Sequence, residues 1–285
     1  MENIRMLKDA MIPLDKMMPK HNQNSKVAKG ILYRDDGVDG FGRRIFTKVA
    51  ENTVTLGGAI AALERLTNVE SSFRPNTLNH IMSLNDGYTY NLNSTPIALF
   101  GCGIGGAGMT FGDVYDPDVK QNNIAQLIPM MVSANELTGT EADKYMMRTT
   151  VKTTDGTKLN CWYLKEFDTV ARITSLWKDA PAENEDGSEI VEDISDSESE
   201  NGVESFAQFK LALNDDDCRS YFEAMGMLPQ ARFNSIGLYV GEKVILDDGS
   251  TDYVNVSLFS VVNINNEALA ERKSLVYYYR VYAMI

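Results

Sequence analysis

The stretch Tyr253-Val254-Asn255-Val256-Ser257-Leu258-Phe259-Ser260-Val261-Val262-Asn263-Ile264 decides the fold class. Val254, Val256, Leu258, Ser260 and Val262 alternate with Asn255, Ser257, Phe259 and Val261, the two-residue period of a strand. β-branched and aromatic side chains stand on both faces, so the pattern asks for cover on both. Working outward, residues 233–240, 243–246 and 274–285 carry the same grain. Asp247-Asp248-Gly249-Ser250 and Asn263-Ile264-Asn265-Asn266-Glu267 have the composition of turns between them. In the last segment Leu275, Tyr277, Tyr279, Val281 and Ala283 alternate with Val276, Tyr278, Arg280 and Tyr282. Aromatics on both sides predict a central strand, or one whose outer face meets another subunit.

Upstream, residues 145–152 and 159–167 flank Thr153-Thr154-Asp155-Gly156-Thr157, and Asp-Gly between β-prone segments signals a hairpin. Residues 31–34 are a candidate strand ending at Asp35-Asp36-Gly37, and residues 97–100 and 171–177 are further strands. Phe209, Leu211 and Leu213 make another, followed by a helix that Asn214 or Asp215 can cap, with Asp216 and Asp217 in its first turn. Its stripe is Tyr221, Phe222 and Met225, and Gly226 ends it. An earlier helix over residues 57–67 places Ile60, Leu63 and Leu66 on one face, with Glu64 and Arg65 off it. Together these predict a mainly β chain. Residues 1–74 form an N-terminal arm and helix, and residues 75–285 an antiparallel β-sandwich-like domain with an acidic loop at 178–205. That loop is a solvated connection, rich in Glu and Asp from 183 to 204 and without Lys or Arg there. In the arm, Ile4, Leu7 and Met11 fall at helical spacing before Pro13, and the polar run Pro19-Lys20-His21-Asn22-Gln23-Asn24 reads as extended. The arm has too little apolar surface to fold alone, so it is expected to order on a partner.

A formal net charge of −13 and a pI near 4.7 repel phosphate backbones and anionic lipid, which argues against nucleic-acid or membrane partners. No apolar stretch is long enough to span a bilayer, and Met1-Glu2-Asn3-Ile4-Arg5 does not open a signal peptide. Cys102, Cys161 and Cys218 are odd in number and widely spaced, as expected of small buried hydrophobes.

Motifs for chemistry are sparse. Gly101-Cys102-Gly103-Ile104-Gly105-Gly106 matches G-x-G-x-x-G, but the continuation Ala107-Gly108-Met109-Thr110-Phe111-Gly112 and Pro117 oppose the helix a dinucleotide site needs. A glycine-rich turn or a close backbone approach is the expected use. Of the two histidines, His21 sits in the polar arm and His80 in the apolar Leu78-Asn79-His80-Ile81-Met82. Asp113-Val114-Tyr115-Asp116-Pro117-Asp118 and Asp35-Asp36-Gly37-Val38-Asp39 are the runs most like a calcium loop, and neither has its closing Glu. The expected sets of catalytic, cofactor-binding and metal-ligating residues are empty, and the chain is expected not to be an enzyme.

The succession Gln230-Ala231-Arg232-Phe233-Asn234-Ser235-Ile236-Gly237-Leu238-Tyr239, Tyr253 to Ser260, and the terminal Tyr279-Arg280-Val281-Tyr282-Ala283 resembles the closing β-module of structural proteins from tailed bacteriophages, large myophages included. There an I-G-L-(F/Y) strand precedes a final Y-R-(I/V)-Y strand. Val54-Thr55-Leu56-Gly57-Gly58-Ala59 and Ala98-Leu99-Phe100-Gly101-Cys102-Gly103 look like the same group. The likeness lies in framework residues scattered over about half the chain. It implies a virion subunit repeated in many copies in the tail, neck or collar, or baseplate. Such a subunit is assembled in the host bacterial cytoplasm. It contacts copies of itself and other virion proteins through the arm and the faces of the β-domain. A capsid surface or decoration protein and a receptor-binding module are alternatives, and a virion-borne glycan hydrolase is a distant one.

Overall fold

The computed structural model of the chain describes residues 29–69, 71, 78, 96–120, 123–153, 156–169, 172–176, 204–245 and 249–284. Along them run β1 (Lys29–Val38), β2 (Arg44–Glu51), β3 (Thr53–Val54), helix α1 (Leu56–Thr67), β4 (Ile97–Gly103), β5 (Leu127–Ile128) and β6 (Met131–Ser133). Then come β7 (Tyr145–Lys152), β8 (Lys158–Glu166), β9 (Arg172–Leu176), β10 (Glu204–Leu213), helix α2 (Arg219–Ala224), β11 (Arg232–Ile245), β12 (Thr251–Ala268) and β13 (Leu275–Met284). The strands form two antiparallel sheets, as the β-sandwich-like expectation requires. One has the order β2-β1-β13-β10-β9; the other follows β3-β12-β11-β4-β8-β6, with β5 on β4 and β7 on β8.

Between the sheets, Phe100, Trp162, Phe233, Ile236, Leu238 and Val262 meet Leu32, Phe209, Leu211, Tyr277 and Tyr279. Neighbouring residues on the same strands, Leu99, Tyr239 and Val261 among them, pack with Ile124, Met146, Met147 and Leu164 in a second core. Because successive strand residues point to opposite faces, the larger sheet is buried on both. That accounts for the unbroken run of buried residues, 256–262, in the middle of β12.

β13 lies between β1 and β10, so the strand with aromatics on both faces is central, as its pattern predicts. Tyr277 and Tyr279 point into the core. On the opposite face the Arg280 guanidinium lies 4.8 Å from the Tyr33 ring centroid and 4.9 Å from that of Phe206, and donates to Gln208 at 2.8 Å. The Asp-Gly hairpin also forms. β7 pairs with β8, Gly156 has φ +86°, and the Thr153 and Gly156 amides donate to Thr157 and Thr153 carbonyls.

Several boundaries differ from expectation. Asp35-Asp36-Gly37 is not a reversal: β1 runs through it with a bulge, and the chain turns at 39–42, where the Asp39 amide donates to the Arg43 carbonyl at 2.8 Å. Asn263-Ile264-Asn265-Asn266-Glu267 is strand, because β12 continues to Ala268. Residues 243–245 are the end of one long β11. The boundary at residue 75 does not separate an arm from the sandwich, since β1 and β2 belong to the smaller sheet and β3 to the larger. The second helix starts only at Arg219, with Asp217 taken into the core. The acidic loop 178–205 lies outside the described residues except for Glu204 and Ser205, which open β10. Since Glu204 pairs with Leu176 of β9, that stretch joins adjacent strands. The arm through residue 28, His21 and His80 also lie outside.

Candidate interaction surface

Helix α1 begins where the Thr55 hydroxyl accepts from the Gly58 amide at 3.1 Å and donates to the Leu258 carbonyl at 2.5 Å. The Thr55 amide donates to the Phe259 carbonyl, and β3 pairs with Ser260 and Val261, so this corner covers the edge of β12. The helix ends at Asn68 in the left-handed conformation, φ 54°. Its packed face is made of Gly57, Gly58, Ala61 and Glu64. A Cβ on Gly58 would fall 1.9 Å from the Phe259 carbonyl oxygen, so only glycine allows this approach. Glu64 is buried and accepts from the Ser71 amide at 2.7 Å.

Two residues of the apolar stripe, Leu63 and Leu66, therefore face outward, and Ile60 is half-buried. Leu63 is 55% exposed, Leu66 83% and Val69 64%, and Leu56 is exposed at the other end. The face that packs is the one off the stripe, with Glu64 on it. Small residues won because they let the helix backbone lie directly on β12.

Next to α1 lies the glycine-rich segment. No helix follows Gly106; residues 106–115 fold into a small turn closed by an Ala107–Val114 bridge. Side-chain amides from β11 and β12 hold its backbone. Asn234 accepts from the Gly106 amide at 2.7 Å and donates to the Ala107 carbonyl at 3.3 Å. Asn266 donates to the Gly108 carbonyl, Asn263 to the Tyr115 carbonyl, and Asn265 accepts from the Gly112 amide, at 2.7–2.8 Å. A Cβ on Gly106 would lie 2.3 Å from the Asn234 carbonyl oxygen. Close backbone approach is thus the use of these glycines. The asparagines that read as a turn are the clamp, a role no local pattern announced.

The clamped loop carries its bulky residues outside: Phe111 is 88% exposed, and Met109 and Tyr115 are exposed with it. It returns to α1 where the Leu56 amide donates to the Val119 carbonyl at 2.8 Å. Between this loop and β12 is a cavity of about 230 Å³, with Ile124, Leu258 and Val261 in its lining and Tyr115, Asp116 and Asp118 alongside. Phe41, at the tip of the β1–β2 hairpin, is a separate exposed ring under Arg43.

The charged residues are placed differently. Lys165 and Asp217 are enclosed between the sheets with their charges 2.6 Å apart. Lys165 also donates to the Ala212 carbonyl, while Asp217 accepts from the Tyr145 hydroxyl and the Asn214 amide. Burial pushes the Tyr145 phenol far above its usual value, with Asp217 adding to the shift. Every polar end of this group meets another, so it acts as a buried strut. The 35–39 run serves its own hairpin: Asp36 bonds Thr47 and Arg34, Asp35 pairs with Arg44, and Asp39 accepts from Phe41 and Arg43. The Thr47 hydroxyl, and then Arg34, hold the Asp36 carboxyl below its usual range. Among the described residues no group of three or more His, Cys, Asp or Glu is placed to hold a metal ion. Cys102, Cys161 and Cys218 are buried free thiols. No helix among the described residues is long and apolar enough to cross a membrane. Comparison of the chain with models of known families, with curated proteins and with solved structures finds no match to any of them.

Proposed function

We propose that this chain is a non-enzymatic structural subunit of a tailed-phage virion, repeated in many copies in the tail, neck or collar, or baseplate. The observation that carries the reading is the inversion of α1, a capped helix that spends its small face on β12 and leaves Leu63 and Leu66 in water. Leaving such side chains in solvent gives up about 1.5–3 kcal/mol each, which burial against another subunit recovers. The clamped loop adds exposed Met109, Phe111 and Tyr115, on a backbone fixed in advance. The resemblance supplies the particle. Its Ile236-Gly237-Leu238-Tyr239 and Tyr279-Arg280-Val281-Tyr282 motifs lie on β11 and β13, inner strands of the two sheets, where framework residues belong.

Light scattering on the purified chain tests this. The expected result is a homo-oligomer at tens of micromolar, with Leu63→Ser/Leu66→Ser shifted to monomer. Its unfolding midpoint should match wild type at concentrations low enough that both are monomeric, because exposed positions move stability by no more than about 0.5 kcal/mol. A wild-type chain that stays monomeric over that range, or a variant as oligomeric as wild type, counts against it.

A further inference from the structure

We propose that the surface formed by α1 and the 106–119 loop is the seat for the methionine-rich N-terminal segment, residues 1–28, of a second copy of this chain. The inference rests on the subunit reading above and names the contact. Three features of the seat fit that occupant. Its exposed groups are apolar, its charge is negative, and it contains a cavity. From residue 96 to 119 the chain has Asp113, Asp116 and Asp118 and no Lys or Arg, with Lys120 closing the run, and α1 adds one exposed cation, Arg65. Residues 1–28 carry the opposite balance, with Arg5, Lys8, Lys16, Lys20 and Lys26 against Glu2, Asp9 and Asp15, in a chain whose formal net charge is −13. They also hold Met1, Met6, Met11, Met17 and Met18, five of the 14 methionines. Methionine is unbranched and fits irregular hollows. The cavity of about 230 Å³ floored by Leu258 and Val261 exceeds the roughly 150 Å³ that accommodates a benzene ring.

Reach allows the segment to bind on a second copy. The described chain enters at Lys29, and the Gly30 carbonyl accepts from the Asn52 amide at 2.8 Å, which places the entry beside the strand leading to α1. From Asn52 to Leu56 is at most about 14 Å, and α1 adds about 18 Å. The polar spacer that follows Met11, interrupted by Pro13 and Pro19, spans roughly 55 Å when extended at about 3.3 Å per residue. That is long enough to place Met1 to Met11 beyond the chain's own α1.

The full-length protein with benzoylphenylalanine at position 66, and separately at 111, is irradiated, run on a denaturing gel and mapped by peptide mass spectrometry. The expected result is a covalent dimer whose junction joins the probe to residues 1–28. Its yield should fall at least three-fold in Lys16→Glu/Lys20→Glu/Lys26→Glu, and at 0.5 M salt, where the Debye length is under about 5 Å. A junction with residues 1–28 found only in monomeric protein overturns the assignment to a second copy. Dimers joined through any other segment, or no adduct, overturn the seat itself. Light scattering on the same samples keeps the two readings apart: an oligomer without the arm junction removes the seat and leaves the subunit, whereas a monomer removes the subunit.

Discussion

Lys165 and Asp217 are 1% and 0% exposed, on β8 and in the turn before α2, and each is the other's only opposite charge within 4.0 Å among the described residues. Removing one partner strands the other away from water. Lys165→Met is therefore expected to lower the unfolding free energy by about 3–5 kcal/mol in a urea titration. Lys165→Met/Asp217→Leu should recover part of that loss, since no lone charge remains. Asp252 shows a different burden. Burial pushes its carboxyl above the usual range, against the pull of the Met147 and Tyr253 amides that donate to Oδ1 at 3.0 and 2.7 Å. A folded value above the unfolded one means that the protonated form stabilises the fold. That contribution is complete below the unfolded value and is lost as pH rises through the folded one. Asp252→Asn keeps an acceptor for both amides without the charge. Its melting temperature should exceed wild type near pH 7, with the gap closing as pH falls toward about 4. A gap that is constant with pH would remove the electrostatic explanation.

At the scale of elements, the 106–115 loop depends on side chains that come from far along the chain. Asn234→Ala leaves the Gly106 amide without its acceptor and should cost about 1–3 kcal/mol. Amide hydrogen exchange should rise across 106–115 more than in β11 itself. The sequence was readable here in proportion to how local the chemistry is. Asp155-Gly156 announced its hairpin because a type of turn is written in two residues. The start of α1 was legible, but its orientation was not, because periodicity identifies an apolar face without saying whether that face packs. The missed signal was Gly57-Gly58. Two glycines in a first helical turn each cost roughly 1 kcal/mol relative to alanine, and contact with the Phe259 carbonyl is what explains Gly58. Asn263, Asn265 and Asn266 misled for the complementary reason. Their amides are used on a loop as much as 158 residues away, and no window of neighbours contains that fact. Asp217 was assigned to a helix dipole for want of the same long-range knowledge; its partner Lys165 lies 52 positions earlier.

At the scale of the molecule, the alternation in β11, β12 and β13 was enough to predict two covered sheets, and both sheets are present. The strand order was not legible, because alternation says how a strand faces and not which strand lies beside it. That order matters most at β13, with β1 on one side over Lys29 to Arg34 and β10 on the other over Glu204 to Leu213. The first described strand and the one at residues 204–213 have no shared neighbour until residues 275–284 are in place. While a ribosome is still upstream of that point, two long backbone edges stay open, and pairing across nearly the whole described chain is slow to form. The smaller sheet is thus completed by the latest of its described strands to be translated, and a half-made subunit cannot yet offer neighbours the finished surface.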